Sequence, residues 1–313
     1  MGYNSADQIT QDTPVVVHFS GGKDSVATYL HLTRERGMTN VRCLFSDTGF
    51  EAPHTYEYLD LLERDYQFPI TRIQGRVRDL WKGEVPERYA DIADAPLTME
   101  TLCRVKKRFP SPTRRFCTEF LKLRPAAKWH AENTTPDTVI ACGIRAEESQ
   151  RRAQMATLTY DDMTGRHRWL PIFEWTVEDV FACHERHGIP RNPLYALGLS
   201  RVGCFPCIHA RKSELAVCGT RYPQMFQSLR DMEKKVAAQD GSTREVMSYF
   251  GNSKTPSAYH SHIDPKSGKG FPDALDVWRW AVSVDARMGD GTLWEEPEDE
   301  DVFGLCDRYG ACE

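Results

Sequence analysis

A buried strand that runs directly into a glycine-rich turn is the most constraining feature of this 313-residue chain. Residues 15–17 are three consecutive valines, and residues 20–25 read Ser-Gly-Gly-Lys-Asp-Ser. Apolar side chains then recur at helical spacing, and Gly37 predicts the end of that helix. The sequence therefore predicts a strand, a tight turn and a helix, and ligands of open α/β sheets bind where a strand ends in this way.

The residue types of this turn are those that bind phosphate. Two glycines let the backbone approach an anion closely, and two serine hydroxyls can donate to its oxygens. The first amides of the following helix add donors, and Lys23 adds a positive charge. The motif is not a Walker A loop, which would need Gly at position 17 and Ser or Thr at position 24, where the chain has Val17 and Asp24. A structural turn without a ligand is the other interpretation.

The bulk composition is that of a soluble globular protein, with 40% hydrophobic and 27% charged residues. A net charge of −5 excludes a global basic field for nucleic acid but leaves a local basic patch open. No secretion signal and no long apolar run are evident, so we expect a cytoplasmic protein with no membrane partner. Ten cysteines in that compartment indicate reduced thiols, metal ligands or redox chemistry rather than disulfides.

Polar residues follow two further predicted strands. A strand over residues 41–45 places Asp47 at its carboxyl end, and a strand over 138–142 is followed by Gly143 and Arg145. Ligands of open α/β sheets gather at the carboxyl edge, so both segments are candidates for the same pocket. For the second segment, which continues into the arginine pair at 151–152, a solvated charged helix start is the alternative.

The coarse pattern predicts an α/β fold with an open, mostly parallel sheet, helices on both faces and a helical C-terminal region. It divides the chain into an extension over 1–13, a nucleotide-binding domain with the cysteines over 14–215, and a helical region over 216–313 with an acidic, cysteine-containing tail. Residues 79–101 have no clear periodicity. The remaining predicted elements are a helix over 53–64, strands over 70–73 and 169–172, and a helix capped by Thr176 that ends near Gly188.

Four separate segments together resemble the phosphoadenosine phosphosulfate (PAPS) reductase family of the ATP pyrophosphatase superfamily. Their motifs are most similar to the sulfur-transfer proteins of DNA phosphorothioation systems. The resemblance covers residues 14–210 and implies an adenine nucleotide α-hydrolase-like fold. The matching segments are 20–25, 46–49, 143–149, and 192–195 followed by 203–207.

The resemblance also implies roles for individual residues. The phosphates would be held by Ser20, Gly21, Gly22, Lys23 and Ser25. Asp24 would orient the turn or a Mg²⁺ ion, Asp47 would lie near the adenosine, and Gly143 and Arg145 would lie across the pocket. The implied catalytic residues are Lys23, Asp24 and Arg145.

The intact Ser-Gly-Gly-Lys-Asp-Ser motif favours ATP over PAPS or adenosine phosphosulfate (APS), because dedicated sulfonucleotide reductases generally carry a degenerate turn. The implied activity is ATP-dependent sulfur transfer, in which ATP yields AMP and pyrophosphate and adenylates an acceptor, with nucleic acid as one candidate. A cysteine desulfurase or a thioredoxin-like protein would supply sulfur or electrons. The alternatives are a sulfonucleotide reductase that releases sulfite and a non-catalytic nucleotide-binding subunit. The oligomeric state stays open.

Four cysteines form the candidate metal site. Cys204 and Cys207 form a C-x-x-C pair, and Cys103 and Cys117 are the best candidates for two further ligands. The resemblance implies a [4Fe-4S] cluster, with structural zinc as the alternative. APS reductases carry two adjacent cysteines where this chain has only Cys117.

Six basic residues lie between Cys103 and Cys117, in a segment that reads as a positive loop. This loop could contact a nucleic-acid backbone, an anionic cluster or a sulfonucleotide, or it could be simply solvated. Of the remaining cysteines, Cys306 and Cys312 in the tail could carry sulfur or be incidental. The patterns around Cys43, Cys142 and Cys183 predict packed core residues.

Overall fold

The computed structural model describes residues 3–240, 245–251 and 253–283, and its main element is a six-stranded sheet of order β3-β2-β1-β4-β6-β5. All neighbours pair in parallel except β5, which is antiparallel to β6. A separate hairpin pairs β7 with β8. The strands are β1 (Val15–Phe19), β2 (Val41–Ser46), β3 (Ile70–Ile73), β4 (Val139–Cys142), β5 (Leu158–Asp161), β6 (Arg166–Trp169), β7 (His262–Ile263) and β8 (Gly270–Phe271).

The helices include the predicted ones over 53–64 and after Thr176. The helices are α1 (Lys23–Leu30), α2 (Pro53–Tyr66), α3 (Met99–Lys106), α4 (Phe116–Thr118), α5 (Arg124–Asn133), α6 (Val177–Arg186), α7 (Pro193–Ala196), α8 (Lys212–Arg221), α9 (Pro223–Asp240) and α10 (Ala274–Val282). Helix α1 continues as a π-turn over His31–Glu35, and Gly37 follows at φ +66°, as the predicted helix end requires. In the described part of the chain, no helix has the length and apolarity needed to span a membrane.

Strand β1 lies at the centre of the sheet, between β2 and β4. Its residues Val15, Val16 and Val17 are at most 1% exposed, because a parallel interior strand is covered on both faces. The chain moves outward from β1 to β2 on one side and to β4 on the other, so the order reverses beside β1. Such a reversal opens a crevice at the carboxyl ends of the strands.

Helices cover both faces of the sheet, which confirms the predicted fold class. On one face, Val17 packs in a core with Val26 of α1, Leu59 of α2 and Val180 of α6. On the other face, Val16 packs against Ala126 of α5.

The C-terminal helices pack onto the segment that carries the cysteines. Phe226 of α9 and Trp280 of α10 belong to the same apolar core as Leu102 and Cys103 of α3. The boundary predicted at residue 215 falls within α8. The acidic stretch over 295–301 and the tail thiols Cys306 and Cys312 lie outside the described residues.

One local prediction was wrong, and one strand was missed. The short strand expected over 169–172 ends at Trp169, and its antiparallel partner β5 was not predicted at all. The sequence of strand β6 is polar because it contains Arg166 and Arg168. Both side chains are nevertheless buried, and each is only 8% exposed. Arg166 donates to the carbonyl of His130 at 3.0 Å, so hydrogen bonds to main-chain oxygens compensate for the buried charge.

Candidate nucleotide and thiol site

The glycine-rich turn lies between β1 and α1 and is held by its own hydroxyl groups. Ser25 Oγ donates to the Gly22 carbonyl at 3.1 Å, and the Gly22 amide donates to Ser20 Oγ at 3.1 Å. The two serine Oγ atoms are 3.2 Å apart. Gly21 has φ +75°, a conformation that glycine adopts without strain. The turn therefore positions backbone amides at the start of a helix, the geometry that favours an anion.

Asp24 lies at the centre of a buried charge network behind the turn. Its carboxylate is completely buried, with Oδ2 2.6 Å from Lys23 Nζ and Oδ1 2.6 Å from Arg145 Nε. Burial opposes the charge of Arg145, but Asp24 and two nearby glutamates raise its guanidinium pKa above the ordinary value. Both Asp24 oxygens are engaged, so this residue orients the lysine and the arginine that were predicted to act with it.

Gly143 contacts the backbone of α1. A Cβ at this position would lie 2.8 Å from the carbonyl carbon of Asp24 and 3.0 Å from the Ser25 amide nitrogen. Only glycine lets the end of β4 approach the turn this closely. Of the two arginines that follow, Arg151 is exposed and Arg152 is buried in an ion pair with Glu148, which agrees with the expectation that one of the two points inward.

Three residues outside the turn hold it in place, and the sequence analysis assigned no role to any of them. The Tyr195 hydroxyl accepts from the Lys23 amide at 2.9 Å, and Asn192 Nδ2 donates to the Gly21 carbonyl at 3.3 Å. His184 Nε2 lies 2.9 Å from the Lys23 carbonyl. The Asn-Pro-Leu-Tyr motif over 192–195 could have suggested the first two contacts, whereas His184 stands on a helix with no distinguishing signal.

Asp47 lies at the end of β2, beside the same edge of the sheet. Its Oδ1 atom accepts from the Gly49 amide at 2.8 Å and from the Tyr56 hydroxyl at 2.7 Å. Gly49 has φ +62°, so the chain turns sharply here toward α2. The carboxylate is thereby fixed at the predicted edge by one main-chain and one side-chain donor.

A small, partly open cleft lies at the carboxyl ends of β1 and β2. Its lining includes Ser20 of the turn and Gly203, which is next to Cys204. Glu51 and Lys122 also line it. Burial raises the pKa of the Glu51 carboxyl, although the Thr48 hydroxyl and Lys122 oppose this shift. The cleft thus joins the glycine-rich turn to the cysteine segment through an acid and a lysine.

The structure brings the four predicted cysteines together in one core. Cys103 lies on α3 and Cys117 on α4, while Cys204 and Cys207 lie on the loop before α8. Burial raises the pKa of the Cys117 thiol to about 11, and the neighbouring Cys207 adds to this shift. Tyr249 is buried beside all four cysteines and donates its hydroxyl to the Pro206 carbonyl at 3.0 Å.

Four cysteine thiols are ligands that both candidate metal centres use, a [4Fe-4S] cluster and a structural zinc ion. Among the described residues, no three of the four sulfur atoms lie within 4.8 Å of one another. A tetrahedral zinc ion with Zn–S bonds of about 2.3 Å would bring its sulfurs to roughly 4 Å apart. By residue type, the donor set fits either centre.

The basic segment between Cys103 and Cys117 is not the open loop that the sequence indicated. Its first part belongs to α3, where Arg104 approaches Glu100 at 3.8 Å and Lys106 Nζ lies 4.2 Å from the centre of the Phe120 ring. Arg115 is only 7% exposed. Much of the positive charge is therefore placed on the protein's own carboxylates and rings, close to the thiols.

Cys43, Cys142 and Cys183 are buried in the core, as predicted.

Comparison with known proteins connects these features to one family. The model of the phosphoadenosine phosphosulfate reductase domain matches residues 14–210. An uncharacterized 37.8 kDa protein of Escherichia phage 186 is 36% identical over 284 residues, which cover 81% of this chain and 84% of that protein. The adenosine 5'-phosphosulfate reductase of Allochromatium vinosum is 30% identical over 200 residues, covering 64% and 69%.

Among solved structures, the U34-tRNA thiolase NcsA of Methanococcus maripaludis, with its [4Fe-4S] cluster, is similar with a TM-score of 0.39 and 12% identity. This likeness covers 75% of the present chain and 74% of the thiolase. The family model spans the glycine-rich turn, the ends of β2 and β4, and all four cysteines. The chain belongs to the phosphoadenosine phosphosulfate reductase domain family.

Proposed function

We propose that this protein is an ATP-dependent sulfur-transfer enzyme, which cleaves ATP to AMP and pyrophosphate in order to adenylate an acceptor. One observation carries the proposal: Ser20 of the glycine-rich turn and Gly203, next to Cys204, line the same cleft. An activated acceptor formed at the turn would need to travel only along this cleft to meet the sulfur chemistry. Family membership supports an enzyme of nucleotide sulfur chemistry.

In the nucleotide half of the site, the turn amides, Ser20, Ser25 and Lys23 would bind the pyrophosphate part of ATP. Asp24 would keep Lys23 and Arg145 in place, since its two oxygens are paired with them at 2.6 Å. Asp47, fixed by Gly49 and Tyr56, would contribute to the adenosine pocket or to the coordination of Mg²⁺. Catalysis here consists of positioning and charge stabilisation.

The proposed reaction proceeds in balanced steps. An oxygen of the acceptor attacks the α-phosphorus of ATP, the bond to the oxygen that bridges the α- and β-phosphates breaks, and pyrophosphate leaves. The terminal sulfur of a persulfide, delivered by a cysteine desulfurase, then attacks the acceptor carbon and AMP leaves with the oxygen. A thioredoxin-like dithiol reduces the remaining S–S bond, becomes a disulfide and releases the thiolated acceptor. We propose a nucleic-acid base as the acceptor, because Arg108 and Arg114 of the basic segment are exposed and can contact a nucleic-acid backbone.

In the thiol half of the site, Cys103, Cys117, Cys204 and Cys207 would hold a [4Fe-4S] cluster. When bound, such a cluster would supply a site near the cleft that can hold a sulfur atom or adjust the charge on that sulfur. Lys122 favours the thiolate forms of Cys117 and Cys204, as its effect on both pKa values indicates. Tyr249, buried beside the four cysteines, would hold the loop that carries Cys204 and Cys207 through its hydrogen bond to the Pro206 carbonyl.

A sulfonucleotide reductase is the second candidate, favoured by the 30% identity to an adenosine 5'-phosphosulfate reductase. In that reaction, Cys306 or Cys312 would attack the sulfur of APS or PAPS, and a thiol reductant would release sulfite. The intact Ser-Gly-Gly-Lys-Asp-Ser turn argues for ATP instead. The third possibility, a nucleotide-sensing subunit without catalysis, would bind ATP but release no pyrophosphate with any acceptor.

The deciding experiment uses anaerobically purified full-length protein. Binding of ATP, APS and PAPS is measured by calorimetry, followed by pyrophosphate release with tRNA or duplex DNA and sulfite release from APS and PAPS. The proposal expects tighter ATP binding and acceptor-dependent pyrophosphate release, both lost in Lys23→Ala and retained in Lys128→Ala, whose lysine is 59% exposed and lies 3.5 Å from Asp79. Sulfite release without pyrophosphate would establish the reductase instead.

The metal content is measured on the same preparations. About four irons and four sulfides per chain in the wild type, lost in Cys204→Ala and kept in Cys43→Ala, would support the cluster. Stoichiometric zinc without iron would make the four-cysteine site structural.

A further inference from the structure

A second group of metal-binding side chains lies where the π-turn after α1 packs against α6. The sequence carries two pairs of such residues at a spacing of four, His31 with Glu35 and Cys183 with His187. Residues four apart stand on the same face of a helix, so each pair presents its side chains together. Helices α1 and α6 pack against each other, which brings the two pairs into contact.

Three of these side chains converge. One carboxylate oxygen of Glu35, the sulfur of Cys183 and one ring nitrogen of His187 all lie within 4.8 Å of one another. The Glu35 Oε1 atom is 3.9 Å from Cys183 Sγ and 3.3 Å from His187 Nε2. Cys183 forms the buried floor of the group, and Glu35 and His187 are partly accessible, so an ion could enter from solvent.

We propose that Glu35, Cys183 and His187 bind a single zinc-like divalent transition-metal ion. One thiolate, one imidazole and one carboxylate suit borderline ions such as Zn²⁺, whereas Mg²⁺ and Ca²⁺ prefer oxygen ligands alone. Three protein ligands leave a fourth position for water. The two negative ligands would neutralise the ion.

His31 prepares the carboxylate for this role. Its Nδ1 atom lies 2.7 Å from Glu35 Oε2, the oxygen that does not face Cys183. The ring of His31 is packed edge-on against Trp175, with 5.0 Å between the ring centres. A histidine that fixes the second oxygen of a ligating carboxylate orients its first oxygen toward the metal.

Arg186 competes with a metal ion for Glu35. Its Nη2 atom donates to the same Oε1 atom at 2.6 Å, and its side chain is 54% exposed. An exposed arginine can release a carboxylate at small cost, since surface ion pairs contribute about 0–1 kcal/mol. Removal of Arg186 should therefore strengthen metal binding, a result that a purely ionic role for Glu35 does not predict.

The proposed ion would fasten α1 to α6 behind the glycine-rich turn. The next residue of α6, His184, contacts the Lys23 carbonyl at 2.9 Å. Bound metal should therefore raise the melting temperature of the protein by mass action. Its role here is structural and independent of the proposed sulfur-transfer activity.

The test uses the full-length chain equilibrated with excess zinc chloride and then desalted. Zinc per chain is measured by plasma mass spectrometry, and melting temperature is recorded with and without zinc. The wild type should hold about one more zinc than Glu35→Gln, Cys183→Val and His187→Gln, and these three variants should lack the full zinc-dependent rise in melting temperature. Zinc held by the four cysteines is a constant background, and Cys142→Val is the matched control for loss of a buried thiol.

Two further variants sharpen the test. His31→Phe should weaken zinc binding by about 10- to 100-fold, as loss of an orienting residue does, and Arg186→Ala should strengthen it. Glu35→Gln and His187→Gln change side chains at the surface and keep the experiment decisive if Cys183→Val does not fold. Equal zinc content and equal melting shifts in the wild type, Glu35→Gln and His187→Gln would overturn the proposal.

Discussion

The amide of Lys23 donates to the hydroxyl of Tyr195 at 2.9 Å, although the two residues are 172 positions apart. This amide is at the start of α1, among the donors that would face a phosphate. Asn192 of the same motif donates to the Gly21 carbonyl. The Asn-Pro-Leu-Tyr segment therefore acts as a support that holds the glycine-rich turn in shape.

Tyr195→Phe tests this support. The change leaves the Lys23 amide without its partner, so we expect the free energy of unfolding to fall by about 1–3 kcal/mol without nucleotide. ATP would offer the amide a phosphate oxygen, and the stabilisation by ATP should be larger in the variant than in the wild type. Urea titrations with and without ATP measure both quantities. Tyr160→Phe, at a 58% exposed position, is the control, and equal stability of the two variants would contradict the prediction.

Gly143→Ala should distort the turn from behind. The added methyl group would lie 2.8 Å from the main chain of Asp24, which cannot move without displacing α1. We expect a loss of about 1–3 kcal/mol in stability together with weaker ATP binding. Gly83→Ala is the matched control, because a Cβ at Gly83 meets nothing within 4 Å. Calorimetric ATP affinities equal to those of the wild type would show that the turn tolerates the displacement.

Asp24→Asn should be strongly destabilising, because it leaves Lys23 and Arg145 without the buried carboxylate between them. Removal of one partner of a buried ion pair costs about 3–5 kcal/mol. The additional change Arg145→Met should restore part of this loss, since it removes one of the two buried charges that have lost Asp24 as a partner. A double-mutant cycle from urea denaturation measures this coupling, and strictly additive effects would mean that Asp24 does not act through Arg145.

The local parts of the site were predictable because their signals lie in neighbouring residues. The valines of β1, the glycines of the turn and the Thr176 cap each reflect chemistry within a few positions. The contacts of Tyr195 and His184 with Lys23 depend on tertiary packing, which no local pattern encodes. Strand β6 was misplaced for a related reason: Arg166 is buried because distant carbonyls accept its hydrogen bonds.

Glu233 of α9 gives the protein a predicted dependence on pH. The side chain is completely buried and accepts the amides of Tyr249 at 2.6 Å and Ala274 at 3.0 Å. Burial raises the pKa of its carboxyl to about 8, with nearby Asp273 adding to the shift and Arg230 opposing it. Its contact with the Tyr249 amide connects it to the residue that covers the four cysteines.

The sign of this dependence follows from the raised pKa. The folded protein binds the Glu233 proton more tightly than the unfolded chain, so its contribution to stability is full below about pH 4.5 and declines as pH rises toward 8. Between pH 5 and 9, we expect the free energy of unfolding of the wild type to fall by about 2–4 kcal/mol relative to Glu233→Gln. Urea titrations across this range measure the difference. The exposed Glu245→Gln should follow the wild-type curve, and parallel curves for wild type and Glu233→Gln would mean that Glu233 does not titrate in this range.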